Sequence, residues 1–410
     1  MIYQAYQSFS DMMTPVRAAA RIGQAALANA ALHNNAGGPF GAMMLNRIAA
    51  ACELVARTKL THARPGYGIE SIEHDGKEVA VVEEAAFATP FATLLHFKKD
   101  IAQTQPRVLV VAPLSSHFAT LLRGTVRTLL AEHDVYITDW HNARDIPLAH
   151  GKFGFDEYVE HMILFMEKLG PGGHMVSICQ PCAAALAAVS VMAESGNAAQ
   201  PRSMTLMAGP VDCRVNPTGV NQLATSRSIE WFEENLIFAV PRGLPGAGRR
   251  VYPGFVQLAA FMSMNVERHV KSHIDIYDQL ATGEREKAEI TQKFYDEYFA
   301  VLDLPAEFYL ETVRLVFQEY ALPLGKLEYK GRKVDPKAIR RTALFTVEGE
   351  KDDICSVGQT LAAQSLCSSV RPYMKRHHMQ AGVGHYGVFS GSKWNKQVYP
   401  ILRNVIRASD

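Results

Sequence analysis

The sequence carries no excess of charge of either sign and no long apolar run. Its 410 residues include 42 Lys and Arg against 41 Asp and Glu, which leaves a net charge of +1. A chain this evenly charged offers no overall field for binding nucleic acid or an anionic membrane surface. The most apolar stretch, residues 182–193, is shorter than the roughly 20 residues of a transmembrane helix and predicts a buried core helix. The N-terminus lacks the basic and apolar regions of a secretory signal.

Cysteine is scarce as well. The six cysteines are too few to form a disulfide scaffold for 410 residues: Cys52, Cys179, Cys182, Cys213, Cys355 and Cys367. We therefore expect free thiols in a reducing cytoplasm. Hydrophobic residues make up 48% of the chain and charged residues 20%, which predicts a globular rather than a disordered protein. The question is whether one of these thiols does more than fill the core.

An alternation of short apolar runs with helical stretches predicts an α/β fold with a doubly wound, mostly parallel sheet. The predicted strands are residues 107–112, 134–140, 174–178, 203–209, 341–347 and 372–377. The predicted helices are residues 119–132, 156–169 (with Asp156 as its N-cap), 358–367 and 394–406. Before them, residues 69–82 predict a hairpin that turns at Asp75-Gly76.

The alternation stops near residue 213 and resumes near residue 339, which divides the chain into four segments. These are an N-terminal helical extension at 1–65, the first part of the α/β core at 66–212, a helical insertion at 213–338 and the second part of the core at 339–410. The sequence of the extension predicts helices at 16–32 and 43–57 with a loop at 34–41. The sequence of the insertion predicts helices at 285–302 and 305–320 and no buried strand.

Cys179 lies at the junction between a predicted strand and a predicted helix. A nucleophile at such a junction occupies a tight turn at the carboxyl edge of a parallel sheet, where the first N–H groups of the next helix face the reaction centre. Those groups and the helix dipole favour a thiolate. In the usual serine motif, Gly-x-Ser-x-Gly, both glycines flank the nucleophile, whereas this chain has Ser177 and Pro181. A buried structural cysteine is therefore an equal alternative on the pattern alone.

Cys179 and Cys182 also form a C-x-x-C pair. This spacing is typical of thioredoxin-like redox sites and of half a zinc site. Thioredoxin-like domains are far shorter than this chain, and a zinc site needs a second pair, which Cys213 does not supply. We therefore expect no metal site here.

A cysteine nucleophile needs a base, and the base needs an acid that orients it. Asp352 follows the predicted strand at 341–347 and is the candidate acid, whereas Asp353 is expected to cap the following helix. His385 lies on a glycine-rich loop after the last predicted strand and is the candidate base. His377 and His378 lie on that strand and are interpreted as structural.

The candidate oxyanion donors are two backbone N–H groups. One belongs to Gln180, the residue after the nucleophile, and the other to Ser115, in the loop after the strand at 107–112. His117 in the same loop is a candidate substrate contact, although a loop histidine with internal partners is the simpler interpretation.

Several stretches between about residue 104 and the C-terminus are similar to one known family. They are VAPLSSHFATLLRGTVRTLL, VYITDWHNAR, VSICQP, RRVYPGFVQ, KFYDEYFAVLDLPAEFYLETVRLVFQEY, TVEGEKDDI and GHYGVFSG. On these motifs the chain resembles the intracellular polyhydroxyalkanoate depolymerases, which hydrolyse poly(3-hydroxybutyrate) granules inside bacteria.

The resemblance implies an α/β-hydrolase core with a Cys-Asp-His triad. The nucleophile falls on Cys179 within VSICQP, the acid on Asp352 within GEKDD and the base on His385 within GHYG. It further implies a cytoplasmic, granule-associated enzyme without a cofactor. The sequence leaves open whether water or coenzyme A accepts the acyl group, and it leaves the oligomeric state open. Cys182 is expected to pack the helix, with oxidative pairing to Cys179 as an open alternative.

The resemblance also makes the insertion a lid over the site. Six aromatic residues of the lid either face the polyester or form the core of the insertion, and helical spacing favours the core for most of them: Phe294, Tyr295, Tyr298, Phe299, Phe308 and Tyr309.

Two other functions stay open. A polyhydroxyalkanoate synthase also uses a cysteine in this fold, but its Gly-x-Cys-x-Gly motif is not matched by Ser177 and Pro181. A non-catalytic granule coat protein would need amphipathic surface helices, for which residues 10–57 are the candidate.

Overall fold

The computed structural model describes residues 2–32, 38–264 and 266–410 and confirms the predicted α/β fold. The strands, in chain order, are β1 (Ser71–His74), β2 (Lys77–Ala88), β3 (Ala92–Lys99), β4 (Arg107–Val111), β5 (Asp134–Trp140), β6 (His174–Ile178), β7 (Ser203–Met207), β8 (Phe238–Ala239), β9 (Arg250–Tyr252), β10 (Leu304–Pro305), β11 (Glu328–Tyr329), β12 (Arg332–Lys333), β13 (Ala343–Gly349) and β14 (Lys375–Gln380).

The helices surround this sheet and form the N-terminal extension and the lid. In chain order they are α1 (Ile2–Leu32), α2 (Gly38–Arg57), α3 (Arg123–Leu130), α4 (Phe155–Leu169), α5 (Cys182–Glu194), α6 (Gly219–Thr225), α7 (Ile229–Leu236), α8 (Gly254–Met264), α9 (Val266–Ala281), α10 (Arg285–Tyr298), α11 (Ala306–Thr312), α12 (Ala362–Leu366), α13 (Gly391–Lys393) and α14 (Tyr399–Ser409). Of the loop predicted at 34–41, residues 34–37 lie outside the described residues, and α2 begins at Gly38.

Within the described residues, nine strands form the central sheet in the order β1-β2-β3-β5-β4-β6-β7-β13-β14. The strands from β5 to β14 pair in parallel, whereas β1, β2 and β3 pair antiparallel at one edge. Because parallel strands point the same way, the chain segments that follow β4, β6, β13 and β14 all leave the sheet at one edge. Every residue singled out for chemistry lies in one of these segments.

Strand β4 shows why the centre of the sheet is apolar on both sides. Leu109 and Val111 belong to the core that contains α4 and α5, while Val108 and Val110 belong to the core on the opposite face with α3 and α14. All four side chains are fully buried. Alternation of side chains along a strand requires apolar residues at every position when both faces are covered by helices, as the run at 107–112 predicts.

The N-terminal extension is attached to the lid. The Tyr3 hydroxyl donates a hydrogen bond to the buried carboxylate of Asp303, which follows α10 in the lid. The Tyr6 ring stacks on Phe255 of α8 with 4.1 Å between ring centroids. Helix α2 packs against both α1 and α9. The extension and the lid therefore share one packed boundary.

The structure corrects several sequence predictions about strands. The strand β3 was not expected, and the antiparallel edge is longer than the hairpin predicted at 69–82. The strand predicted at 372–377 begins only at Lys375, because Pro372 opens a 3₁₀ turn. The lid, for which no buried strand was expected, holds a small sheet in the order β10-β9-β8. These strands are two or three residues long, too short for a periodic pattern.

The predicted N-cap of α4 is also wrong. The helix begins at Phe155, and Gly154 rather than Asp156 is its N-cap. The carboxylate of Glu157 accepts a hydrogen bond from the Gly154 N–H at 2.7 Å, and the carboxylate of Glu311 accepts one from the Phe155 N–H at 2.6 Å. A Cβ atom at position 154 would lie 2.5 Å from a Glu311 oxygen, so glycine leaves room for this contact from the lid.

Candidate active site

Cys179 occupies a sharp turn between β6 and α5. Strand β6 ends at Ile178, Pro181 is the N-cap of α5, and the Cys179 backbone has a φ of +65°. A non-glycine residue rarely adopts this left-handed conformation, and such outliers cluster at functional sites. The Cys179 N–H donates a hydrogen bond to the Met207 carbonyl at 2.8 Å, which holds the turn against β7. The geometry is that of a nucleophile elbow.

The room for this turn comes from the neighbouring strand. A Cβ atom at Gly209, just after β7, would lie 2.2 Å from the Cys182 sulfur and 2.4 Å from the Cys179 carbonyl oxygen. In the usual motif the glycines beside the nucleophile relieve this crowding. Here Ser177 and Pro181 stand at those positions, and Gly209 leaves the space instead.

We expect Gly209→Ala to lower the free energy of unfolding by about 3 kcal/mol, because the added methyl group overlaps the elbow. Gly124→Ala is the control, since a Cβ atom at position 124 in α3 meets nothing within 4 Å. Urea unfolding of both variants measures the difference. Equal stability of the two would show that the elbow does not depend on Gly209.

The structure brings the three residues of the predicted triad together. The Nε2 atom of His385 lies 3.1 Å from the Cys179 sulfur, and its Nδ1 atom lies 2.8 Å from Oδ2 of Asp352. A carboxylate only accepts hydrogen bonds, so Nδ1 carries a proton and Nε2 faces the sulfur. The three side chains come from the segments that follow β6, β13 and β14, which all leave the same edge of the sheet. This arrangement can perform nucleophilic catalysis.

Asp352 is held by its own backbone. Its Oδ1 atom accepts hydrogen bonds from the N–H groups of Ile354 and Cys355, each at 2.9 Å. The predicted capping role of Asp353 is therefore wrong, because Asp352 closes this turn and Asp353 is exposed. The second oxygen of Asp352 stays directed at His385.

The electrostatics of the site favour a charged histidine. Burial alone would lower the pKa of His385, but its interactions with Cys179 and Asp352 raise that pKa well above the usual value. An imidazolium at neutral pH can stabilise a thiolate on Cys179 across the 3.1 Å contact.

The other core cysteines have a different environment. Burial raises the pKa of Cys182, Cys213 and Cys367 to about 12, and it raises that of Cys355 well above the usual value. The Cys182 thiol donates weakly to the Ser177 carbonyl at 3.5 Å. These thiols stay protonated and packed at neutral pH.

Native protein treated with iodoacetamide near neutral pH is expected to react at Cys179 and at the half-buried Cys52, but not at the four buried thiols. Peptide mass spectrometry of a Cys52→Ser variant should then find a single modified cysteine. Faster labelling of any buried thiol than of Cys179 would contradict this reading of the site.

The two predicted oxyanion donors lie at the same cavity as the triad. Ser115 and Gln180 both line the space in front of Cys179. In the part of the chain that the structure describes, neither backbone N–H is engaged in a hydrogen bond. Both groups are therefore available to a ligand at Cys179.

The sequence analysis missed Tyr158, which helps to hold the Gln180 side chain against the loop that contains Ser115. The Gln180 side-chain oxygen accepts hydrogen bonds from the Tyr158 hydroxyl at 2.9 Å and from the Leu114 N–H at 3.3 Å. Tyr158 lies on α4 and is fully buried. Nothing in the local sequence marks it, because its partner is 22 residues away in the chain.

We expect Tyr158→Phe to lower kcat about fivefold with little change in KM, since it removes one hydrogen bond of roughly 1 kcal/mol that positions Gln180. Tyr136→Phe is the control, because Tyr136 lies on strand β5 and does not line the cavity. Steady-state kinetics on a soluble ester measure both. An equal effect on KM and kcat in both variants would remove Tyr158 from the site.

The cavity in front of Cys179 has a volume of about 390 Å³. The lid supplies most of its apolar walls, which include Phe232, Tyr252, Phe261, Leu304, Phe308 and Tyr309. The nucleophile thus faces an apolar chamber with few polar groups, which is typical of small-molecule sites.

The lid aromatics divide between this cavity and the interior of the lid. Phe308 and Tyr309 line the cavity, while Tyr295, Tyr298 and Phe299 pack in the cluster that contains α9. Among the six rings considered, Phe294 is the most exposed, at 38%. Most of these rings therefore serve the packing of the lid or the wall of the chamber rather than an outer surface.

His117 lines the cavity but is buried and neutral. Burial lowers its pKa to about 4, and its ring stacks on Tyr298 with 5.0 Å between centroids. His377 and His378 make local hydrogen bonds to Thr346 and Gln380 beside β14. None of these three histidines contacts the triad in the described structure.

Two other kinds of feature are absent from the described ranges. No group of three or more His, Cys, Asp or Glu side chains is placed to hold a metal ion there. No helix there has the length and apolar content needed to cross a bilayer.

The C-terminal part of the chain matches a known family. Residues 208–410 match the profile described as PHB de-polymerase C-terminus, where PHB stands for poly(3-hydroxybutyrate). No curated protein sequence matches the chain.

Similar solved structures include two hydrolases. The 2-hydroxy-6-oxo-6-phenylhexa-2,4-dienoate hydrolase of Rhodococcus sp. strain RHA1 is 11% identical and superposes with a TM-score of 0.43 over 80% of this chain and 99% of its own. A thermophilic esterase of Thermogutta terrifontis is 12% identical, with a TM-score of 0.39 over 79% and 98% of the two chains.

Proposed function

The chain belongs, through residues 208–410, to the poly(3-hydroxybutyrate) depolymerase family, and from this premise we propose that it hydrolyses the ester bonds of that polymer. The observation that carries the proposal is the hydrogen-bonded series of Cys179, His385 and Asp352 at an apolar chamber. The substrate has no charge in its repeating unit, which agrees with the scarcity of charged groups around the chamber.

In the first half of the proposed reaction, the Cys179 thiolate attacks the carbonyl carbon of a 3-hydroxybutyryl ester. The carbonyl oxygen becomes an oxyanion that accepts hydrogen bonds from the Gln180 and Ser115 N–H groups, each worth roughly 3 kcal/mol. The carbon–oxygen bond then breaks, and His385 donates its proton to the departing alkoxide. A thioester on Cys179 and a shortened polymer with a free hydroxyl remain.

In the second half, water releases the acyl group. Neutral His385 accepts a proton from water as the water oxygen attacks the thioester carbonyl. The carbon–sulfur bond breaks, the acid leaves and the thiolate and imidazolium are restored. Asp352 keeps the His385 ring in the required orientation and stabilises its cation in both halves. The reaction needs no cofactor, and its products are 3-hydroxybutyrate and short oligomers.

We further propose that the enzyme works in the cytoplasm at the surface of polyester granules. Coenzyme A could replace water as the acceptor, with its thiol attacking the same thioester to give 3-hydroxybutyryl-coenzyme A. The chemistry at Cys179 is the same for both acceptors, so only product analysis separates them.

The test is incubation of the purified protein with amorphous poly(3-hydroxybutyrate) granules, with and without coenzyme A. We expect 3-hydroxybutyrate and its oligomers in both reactions, measured by chromatography. Polymer formation from 3-hydroxybutyryl-coenzyme A without granule hydrolysis would identify a synthase instead. Granule binding without any product would identify a coat protein.

A further inference from the structure

An apolar groove lies between the N-terminal extension and the lid. It has a volume of about 720 Å³, and its apolar walls include Leu54 of α2, Met262 of α8, and Val266, Val270, Ile274 and Tyr277 of α9. Val266, Val270 and Ile274 are 54%, 53% and 54% exposed. Their spacing of four residues places them on one face of the helix. A continuous exposed apolar surface of this kind usually marks a binding site.

Helix α8 separates this apolar groove from the chamber of Cys179. Ala260 and Phe261 line the chamber, Ala259 and Met262 line the groove, and Ser263 borders both. Material bound in the groove therefore lies one helix away from the catalytic chamber.

Among the described residues, no Asp, Glu, Lys or Arg side chain lines the groove, although α9 carries five charged residues outside the lining: Glu267, Arg268, Lys271, Asp275 and Asp278. The N-terminal extension beside the groove is poor in charge. Only six of the first 57 residues are charged, namely Asp11, Arg17, Arg21, Arg47, Glu53 and Arg57, whereas 20% of the whole chain is charged. Large apolar side chains are exposed on both helices of the extension: Phe9, Met12 and Val16 on α1, and Phe40, Met44 and Ile48 on α2. A surface depleted of charge suits an apolar partner that is itself uncharged.

We propose that the apolar groove, together with the exposed apolar residues of α1 and α2, docks the enzyme on the surface of an amorphous polyester. This inference rests on the proposed function, because it takes the uncharged substrate as the partner. The aliphatic methyl groups and esters of such a polymer can cover the apolar side chains without leaving a charge buried. Docking next to α8 also keeps ester bonds at high local concentration near the chamber.

The test uses the Cys179→Ala background, so that binding is measured without turnover. The groove variant carries Val270→Asp and Ile274→Asp, and the matched control carries Val82→Asp and Leu148→Asp, whose wild-type side chains are 58% and 57% exposed on other elements. The probe is protein-free amorphous poly(3-hydroxybutyrate) granules, and binding is measured by co-sedimentation. We expect at least tenfold weaker binding for the groove variant and less than a twofold change for the control.

Thermal unfolding checks that each variant is folded, and the milder pair Val270→Ser and Ile274→Ser replaces the aspartates if they unfold the lid. Undiminished binding by a folded groove variant would overturn the proposal. Undiminished binding together with loss of a dimer in sedimentation velocity would assign the groove to a second copy of the chain. If the wild-type chain hydrolyses no polyester but Cys179→Ala binds granules through the groove, the proposed function fails and the docking surface stands.

Discussion

Replacing Cys179 by alanine is expected to lower the rate of polyester hydrolysis by at least about 10⁴-fold. The substitution removes the atom that would form the acyl-enzyme, and no other nucleophile lies within the 3.1 Å contact of His385 in the described structure. Rates on amorphous granules and on a soluble ester should fall together, since both need the same thioester.

Cys182→Ala is the matched control for this result. It removes a thiol three residues away that is fully buried and stays protonated. We expect near wild-type turnover, with a modest loss of stability from the cavity it leaves. If the Cys179→Ala variant keeps turnover within tenfold of wild type, Cys179 is not the nucleophile. If Cys182→Ala loses more than tenfold of the turnover, the C-x-x-C pair is needed for catalysis instead.

Asp352→Asn is expected to lower turnover by about 10³- to 10⁴-fold. Asparagine has almost the same shape but lacks the negative charge that helps to raise the pKa of His385. Its amide oxygen keeps the hydrogen bonds from the Ile354 and Cys355 N–H groups, so its NH2 group, a donor, faces His385 Nδ1 in place of the accepting oxygen. The pKa of His385 should therefore fall, and the histidine ring loses the acceptor that fixes its orientation. Asp353→Asn is the control, because Asp353 is exposed and makes no contact with His385 in the described residues.

The pH dependence of Cys179 alkylation distinguishes the role of Asp352 in keeping His385 charged from a purely structural role. In the wild type the raised pKa keeps His385 charged through neutral pH, and the imidazolium is lost as the pH rises through that raised value. In Asp352→Asn the imidazolium is lost at lower pH, so the rate of Cys179 alkylation should fall furthest below the wild-type rate near neutral pH, where the wild-type histidine is still charged and that of the variant is not. An equal reduction in the rate of Cys179 alkylation at every pH would indicate that the variant is misfolded.

The strand and helix pattern was predictable because the central sheet is buried on both faces. Strands β5 and β6 were predicted with their observed bounds, 134–140 and 174–178, because short strand-like stretches that alternate with helices indicate a parallel sheet. Strand β3 was missed because it belongs to the antiparallel edge, where the residues alternate less clearly between buried and exposed. Boundaries failed where partners distant in the chain decide them, as Glu311 does for α4.

Of the candidate site, the sequence could predict the residues that follow predicted strands but not the contacts made from other elements. Cys179, Asp352 and His385 could be proposed because each follows a predicted strand, and parallel strands bring their carboxyl ends to one edge. The contacts that complete the site could not be read from local pattern. Tyr158 reaches Gln180 from another helix, and Gly209 makes room for the elbow from the neighbouring strand. Their importance depends on tertiary packing that neither residue reveals in the sequence.

The most direct test of the mechanism is to identify the acyl-enzyme. The protein is mixed with a soluble 3-hydroxybutyrate oligomer, quenched in acid during turnover, digested and examined by peptide mass spectrometry. The mechanism predicts one 3-hydroxybutyryl group on the peptide that contains Cys179, removable by hydroxylamine and absent from Cys179→Ala. Turnover with the acyl group on another residue, such as Ser177, or with no acyl group under conditions that trap a thioester, would contradict Cys179 as the nucleophile.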